Sequence, residues 1–162
     1  MAEELSKALA NRYLIERELG RGGMATVHLV RDVRNNRLVA LKVLHPQLAF
    51  TLGADRFARE IRVAALLDHP NILRVLDSGD LDGQLWFTMP YVEGETLWDR
   101  LQRERQFSTA EALRITQATA SALAYAHEKG VVHRDIKPDN ILLSGDDVLV
   151  ADFGVARAVS EG

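Results

Sequence analysis

The strongest chemical signal in the sequence is the run His133-Arg134-Asp135-Ile136-Lys137-Pro138-Asp139-Asn140, followed by Asp152-Phe153-Gly154. Between the two, Asn140 to Leu143 and Val148 to Ala151 read as a short hairpin over Gly145-Asp146-Asp147. Folding this hairpin about Asp146 sets residue 140 opposite residue 152, each six positions from the tip. Asn140 and Asp152 then share its open end. An amide oxygen and a carboxylate there suit Mg2+, a hard cation that keeps several waters and takes substrate phosphates as its other ligands. Asp135 lies five residues before Asn140 on the loop entering the hairpin, where it can sit beside that metal and accept a proton. Any one of these acids alone reads as a solvated loop charge; the whole set does not.

Two further features carry chemistry. Gly20-x-Gly22-x-x-Ala25 fits a phosphate-covering strand loop, the dinucleotide fingerprint G-x-G-x-x-G/A, and equally a plain tight turn. The dinucleotide fingerprint must open a helix, whereas Thr26 to Val30 continues as a strand, so that reading falls. A glycine loop between antiparallel strands brings backbone N–H groups close to phosphate oxygens with no side chain in the way. Lys42 follows Val39-Ala40-Leu41 on an apolar strand, and Glu60 interrupts the apolar stripe Phe57, Ala64, Leu67 of a helix. A lysine and a glutamate in neighbouring apolar stripes offset each other's burial cost, and as a pair they can position a phosphate. Lys42 alone also reads as a snorkelling lysine.

These residues need elements to hold them. Tyr13 to Arg21 reads as a strand entering the glycine turn. Val27, Leu29 and Val33 alternate along a second strand, Asn35-Asn36 turns, and Val39, Leu41 and Val43 alternate along a third. A helix follows Gly53, with Asp55 near its start and His69-Pro70 beyond its end. Ile72 to Leu76 and Leu85 to Met89 read as two more strands around the turn-rich Asp77 to Gly83, completing five strands and one main helix. Ser108-Thr109-Ala110-Glu111 matches a capping box, and Gly130 is a stop for a helix of about 20 residues. The stretch Ile115 to His127 contains no charged residue, which predicts burial on most of its circumference.

Composition sets the class. The 162 residues are 47% hydrophobic and 27% charged, ordinary for a globular domain. Twenty Lys and Arg against 23 Asp and Glu give a net charge of −3, which disfavours nucleic acid or an anionic membrane as the main partner. No cysteine is present, excluding a disulfide framework, a zinc ribbon and thiol catalysis, in keeping with a reducing compartment. No stretch has the length of an apolar membrane span, and Met-Ala-Glu-Glu is no signal peptide. A cytoplasmic location is expected for these residues, with any membrane anchor of a longer product lying beyond residue 162.

Taken in order along residues 19 to 154, these motifs resemble those of the eukaryotic-like serine/threonine protein kinases, and Gly22-Gly23-Met24 resembles the bacterial members. The resemblance implies an α+β kinase fold. A small antiparallel five-stranded lobe with one main helix spans about 13–92, and the first part of a helical lobe spans about 93–162, after a polar segment 1–12. ATP is expected in the cleft. Leu19, Gly20, Arg21, Gly22, Gly23, Met24, Ala25, Thr26 and Val27 would cover its phosphates, and Lys42, braced by Glu60, would hold the α and β phosphates. Met89 takes the gatekeeper position. Pro90 and Val92 belong to the hinge, where the carbonyl of the first and the N–H of the second are needed. Val27, Ala40 and Leu142 would sandwich adenine, while His133, Phe153, Ala64 and Val75 would stack as a packing column.

By the same resemblance Asp135 orients and deprotonates a protein hydroxyl, Lys137 neutralises the transferring phosphoryl group, and Asn140 and Asp152 hold Mg2+. Arg134 would pair with a phosphorylated activation loop. The implied function is ATP- and Mg2+-dependent phosphorylation of serine and threonine hydroxyls in signalling proteins. Two departures stand out: Ala25 replaces the third glycine, and no Ala-Pro-Glu follows Asp152-Phe153-Gly154. If four or five large apolar side chains between Ile115 and Tyr125 lack cover, at about 1.5–3 kcal/mol each, the loss is on the order of 10 kcal/mol. A poorly stable or self-associating chain with slow transfer is then expected. The alternative is a nucleotide-binding regulatory module without phosphoryl transfer.

Overall fold

The computed structural model describes residues 9–153. The first eight residues of the polar segment, and Gly154 with the stretch after it, lie outside the described residues. Two compact units divide the chain. One takes Val75–Tyr91 with the chain up to Ile61, the other Arg62–Arg74 with the chain from Val92 onward.

In the first unit, β1 (Tyr13–Arg21), β2 (Ala25–Asp32), β3 (Arg37–Leu44), β4 (Asp77–Leu81) and β5 (Gln84–Pro90) form an antiparallel sheet in the order β1-β2-β3-β5-β4. Two-residue alternation sorts its faces. Val39, Leu41 and Val43 of β3 join Val30, Tyr13, Trp86 and Leu9 in one buried cluster, with Tyr13 edge-on to Trp86 at 5.8 Å. The register pairs Val27 with Lys42, Lys42 with Phe87, and Ala40 with Met89. Val27, Ala40, Lys42, Phe87 and Met89 therefore share the opposite face. Val27 and Leu29 thus lie on the other side from Val39, Leu41 and Val43, and Val33 is an exposed residue past the end of β2.

Two helices follow β3 where one was expected. Pro46 occupies the first turn of α1 (Pro46–Leu52), which its fixed φ favours, and Gly53 ends it at φ 75°. The helix expected after Gly53 is α2 (Ala54–Ala65). Its Phe57 and Ile61 are buried, and the Phe57 ring meets Phe87 at 6.5 Å. That contact places Phe57 against the sheet face that carries Lys42, and Glu60 follows it by three residues, half-buried.

The fourth strand is Asp77–Leu81, not Ile72 to Leu76. Ile72 makes a single parallel bridge to Val150, and the Leu73 N–H donates to the Val150 carbonyl at 2.9 Å, so this apolar run is a docking segment. Strand β4 has weak intrinsic propensity and is set by its partner. Asp82 and Gly83, at φ 50° and 84°, make the left-handed two-residue turn that a tight hairpin requires. Gly79 leaves room for the Trp86 ring, where a Cβ would fall 2.5 Å from ring carbon.

In the second unit, β6 (Glu95–Thr96), β7 (Ile141–Ser144) and β8 (Asp147–Val150) form a three-stranded sheet beside α3 (Leu97–Glu104) and α4 (Thr109–Glu128). Ile115, Ile141, Leu143 and Val148 make its core with Leu97, Phe107 and Ala118. Gly94 brings the chain against the Leu143 carbonyl, which any Cβ there would strike. Thr96 and Asp99 make a reciprocal capping box for α3. At α4 the predicted box is half made: the Ser108 hydroxyl accepts from the Glu111 N–H, but the Glu111 carboxylate takes Arg100 at 2.8 Å instead. Gly130, at φ 75°, follows the last turn as expected.

Helix α4 buries a narrower face than its charge-free sequence suggested. Ile115, Ala122 and Ala126 are buried, whereas Thr116, Gln117, Ala120 and Ala124 face outward. Leu113 is its one large exposed aliphatic side chain among the described residues. The expected penalty on the order of 10 kcal/mol therefore does not arise from this helix.

Glu95 accepts from both Arg100 and Arg103, and these hydrogen bonds, Arg103's first, hold its carboxyl down to about 2. A depressed folded-state pKa adds stability at neutral pH that is lost as the folded carboxylate protonates. Acid titration of stability is expected to show wild type falling more steeply than Glu95→Gln between pH 4.5 and about 2.

Candidate active site

The loop from Val131 to Asn140 is built around one buried histidine. His133 is 1% exposed. Its Nε2–H donates to the Ala151 carbonyl at 2.7 Å, and its Nδ1 accepts the Asp135 N–H at 3.2 Å. Burial lowers its pKa, which favours the neutral ring that this donor and acceptor pattern needs. Its ring stands edge-on to Phe153 at 4.5 Å. One side chain thus fixes the backbone of Asp135 to the residue before Asp152. Of the predicted packing column, His133 and Phe153 are in contact, and Ala64 is buried in the same unit.

Pro138–Asn140 forms a 3-10 turn that ends the loop. It turns the Asn140 side chain back, so that Nδ2 donates to the Asp135 backbone carbonyl at 2.9 Å and to Asp135 Oδ2 at 3.1 Å. Lys137 Nζ also stands 3.1 Å from Asp135 Oδ2. Two donors therefore engage the same carboxylate oxygen of Asp135, Oδ2. Because the Asn140 nitrogen is used on Asp135, its carbonyl oxygen is the end available to a cation.

The hairpin register differs by one residue from that expected. Ile141 pairs with Val150 and Ser144 with Asp147, so the turn is Gly145-Asp146 and Asn140 lies opposite Ala151, not Asp152. The Ala151 N–H donates to the Asn140 carbonyl at 2.8 Å. Asp152 is the next residue and adopts φ 66°. Arg134 adopts φ 68°. Neither sits in a hairpin turn or at a helix end, where the other left-handed non-glycine residues Asn36, Asp82 and Arg105 lie. Such conformations cost about 1–3 kcal/mol each and concentrate at functional sites.

Asn140 and Asp152 fit Mg2+ by donor type: one amide oxygen and one carboxylate, both hard. Among the described residues no group of three or more His, Cys, Asp or Glu could hold a metal. An amide oxygen and a carboxylate are donors of the kind that Mg2+ takes beside phosphates and water. Leu142 is half-buried on the hairpin face opposite Ile141 and Leu143.

In the first unit, Gly22 N–H donates to the Ala25 carbonyl at 2.9 Å and closes the glycine turn. None of Gly20, Gly22 and Gly23 has positive φ, and a Cβ on Gly20 or Gly23 would meet no atom within 4 Å. Neither backbone conformation nor the chain's own packing asks for glycine there, which leaves clearance for a group from outside. Leu19, Arg21 and Met24 line the same turn, and Thr26 is 8% exposed. Lys42 is half-buried on the face shared with Val27, Ala40 and Met89. Pro90 ends β5 opposite Val39, where a missing N–H costs no interior ladder bond. Val92 is half-buried in the second unit. Sequence reasoning missed His45, whose side chain hydrogen-bonds the glycine turn from 22 residues away. No motif marks it.

A model of the protein kinase domain matches residues 13–162. The serine/threonine-protein kinase PknJ of Mycobacterium tuberculosis is 48% identical over 168 residues, which take in 99% of this chain and 28% of PknJ. PrkC of Bacillus subtilis, also a serine/threonine-protein kinase, is 41% identical across 96% of the chain and 24% of its own length. The chain thus spans about a quarter of the length of these curated relatives. Among solved structures, the Mycobacterium tuberculosis PknI kinase domain superposes with a TM-score of 0.80 at 42% identity, over 89% of this chain and 60% of that one. Rad53 1–466 in complex with AMP-PNP superposes at 0.80 with 26% identity, over 91% of this chain and 39% of that one. No described helix is long and apolar enough to cross a membrane. With the motifs in order, the catalytic-loop geometry in place and a match over nearly all its length, this chain belongs to the protein kinase family, among the bacterial serine/threonine kinases.

Proposed function

We propose that these residues carry the nucleotide-handling and proton-accepting part of a kinase that transfers the γ-phosphoryl group of ATP to serine and threonine hydroxyls of proteins. The observation that carries this reading is the state of Asp135: Oδ2 is held by Lys137 and Asn140 at 3.1 Å each, and Oδ1 is the oxygen assigned to a substrate. The substrate O–H donates to that oxygen, which orients a hydroxyl lone pair toward the γ-phosphorus. As the new O–P bond forms and the bond to the β-phosphate oxygen breaks, the proton passes to Asp135 and ADP departs. Lys137, pinned to the same carboxylate, is placed to offset charge on the moving phosphoryl group.

Asn140 Oδ1 and the Asp152 carboxylate would hold Mg2+, whose charge supplies electrostatic stabilisation of the phosphates. Leu19 to Val27 covers the phosphates with backbone N–H groups, and Lys42, braced by Glu60, binds the α and β phosphates. Val27, Ala40, Met89, Pro90, Val92 and Leu142 receive the adenine. Protein substrates and a cytoplasmic site of action belong to the same reading. Calorimetric titration tests it: ATP is expected to bind with Mg2+ and much more weakly with EDTA. Equal affinity in both conditions would overturn the assignment of Asn140 and Asp152.

A further inference from the structure

His45 stands between β3 and α1, at the N-cap position of the helix, yet its side chain makes no hydrogen bond to that helix. It serves the glycine turn instead. The backbone N–H of His45 donates to the Met24 carbonyl at 2.9 Å, and its ring Nδ1 lies 3.1 Å from the Gly23 carbonyl. That carbonyl can only accept, so Nδ1 carries the hydrogen. Nε2 faces the Thr26 hydroxyl at 3.3 Å. One residue therefore makes three contacts around the tip, at Gly23, Met24 and Thr26, skipping only Ala25.

In a planar trans peptide the C=O of one residue and the N–H of the next point in opposite directions. Drawing the Gly23 and Met24 carbonyls toward His45 turns the N–H groups of Met24 and Ala25 away from it. Gly22 N–H is already used within the turn, on the Ala25 carbonyl at 2.9 Å. The amides at 24 and 25 are thus the ones that the tip presents on the side away from His45. The backbone N–H of residue 45 holds the Met24 carbonyl whatever its side chain, and the imidazole adds the hold on the Gly23 carbonyl, in a loop whose glycines would otherwise let that peptide rotate.

We infer that the His45 side chain is a positioning group for phosphate binding: it sets the Gly23–Met24 peptide plane of the glycine turn so that the Met24 N–H faces the nucleotide phosphates. The inference rests on the nucleotide-binding reading above and goes beyond it by assigning the turn's amide orientation to a residue outside the turn. His45 acts through the backbone and touches no substrate itself.

Binding of ATP and of adenosine, measured by calorimetry on the full-length protein with Mg2+, separates the possibilities because adenosine carries no phosphate. His45→Ala is expected to weaken ATP about tenfold, the equivalent of one net hydrogen bond, and to leave adenosine affinity unchanged. His45→Gln offers a donor to Gly23 and an acceptor to Thr26, and is expected to recover most of the ATP affinity. Unchanged ATP affinity in His45→Ala, a parallel loss for adenosine, or no recovery in His45→Gln would overturn the inference. If wild type binds neither ligand, the nucleotide-binding reading fails first, and that result is visible before any variant is made.

Discussion

Replacing Asp135 with Asn is expected to lower kcat by about 100- to 10,000-fold, the usual contribution of a general base, with ATP affinity unchanged. The substitution keeps shape and removes the proton-accepting oxygen. The loop survives it, because Asn140 Nδ2 also bonds the backbone carbonyl of residue 135 at 2.9 Å and His133 holds the N–H of the same residue at 3.2 Å. An amide at 135 can turn its oxygen to Lys137 and Asn140 and present only NH2 to the substrate, so orientation without proton acceptance is what remains. Phosphate transfer by the full-length variant, followed under saturating ATP, checks this. A fall in ATP affinity with kcat intact would mean that Asp135 binds nucleotide and does not serve as the base.

Asp152→Ala is expected to weaken ATP binding in Mg2+ by more than the roughly 10- to 100-fold that altering an outer-shell partner of a metal costs. Binding in EDTA is expected to stay as in wild type. The reasoning is electrostatic: Asp152 is the one carboxylate of the two proposed donors, so its loss removes the charge that holds a divalent cation. The left-handed backbone at Asp152, φ 66°, suits aspartate and asparagine better than alanine, so Asp152→Asn, which keeps that preference and removes the charge, is the companion variant. Calorimetry with and without Mg2+ reads the difference. A variant that keeps the full Mg2+ dependence would remove Asp152 from the metal site.

Local patterns are legible in this sequence, and long-range ones much less so. Strand Tyr13–Arg21 and helix Thr109–Glu128 carry their own signals, an apolar alternation into glycine and a Ser108 cap ending at Gly130. The order of motifs named the family, and the structure adds the hydrogen bonds from Asn140 to Asp135. The hairpin register differs by one residue because Gly145-Asp146-Asp147 offers two turn lengths, and only the two-residue turn lets Ile141 and Val148 share the core with Ile115. Strand β4 lies later than expected because Ile72 to Leu76 is more apolar than Asp77–Leu81. Its pairing is dictated by β5 and by the space Gly79 leaves for Trp86. His45 gave no signal at all, since its contacts reach back 19 and 22 residues and no spacing rule covers them. Propensity and periodicity describe neighbours along the chain, whereas these features belong to partners that meet only after folding.

The central claim is that Asp135, Lys137, Asn140 and Asp152 serve transfer of a phosphoryl group to a hydroxyl. The most direct measurement is incubation of the full-length protein and its Asp135→Asn variant with γ-labelled ATP and Mg2+, followed by phosphoamino-acid analysis. Label on serine and threonine with wild type, lost with the variant and with EDTA, is the predicted result. Tight Mg2+-dependent ATP binding with no label transferred by wild type would contradict it and make these residues a nucleotide-sensing module.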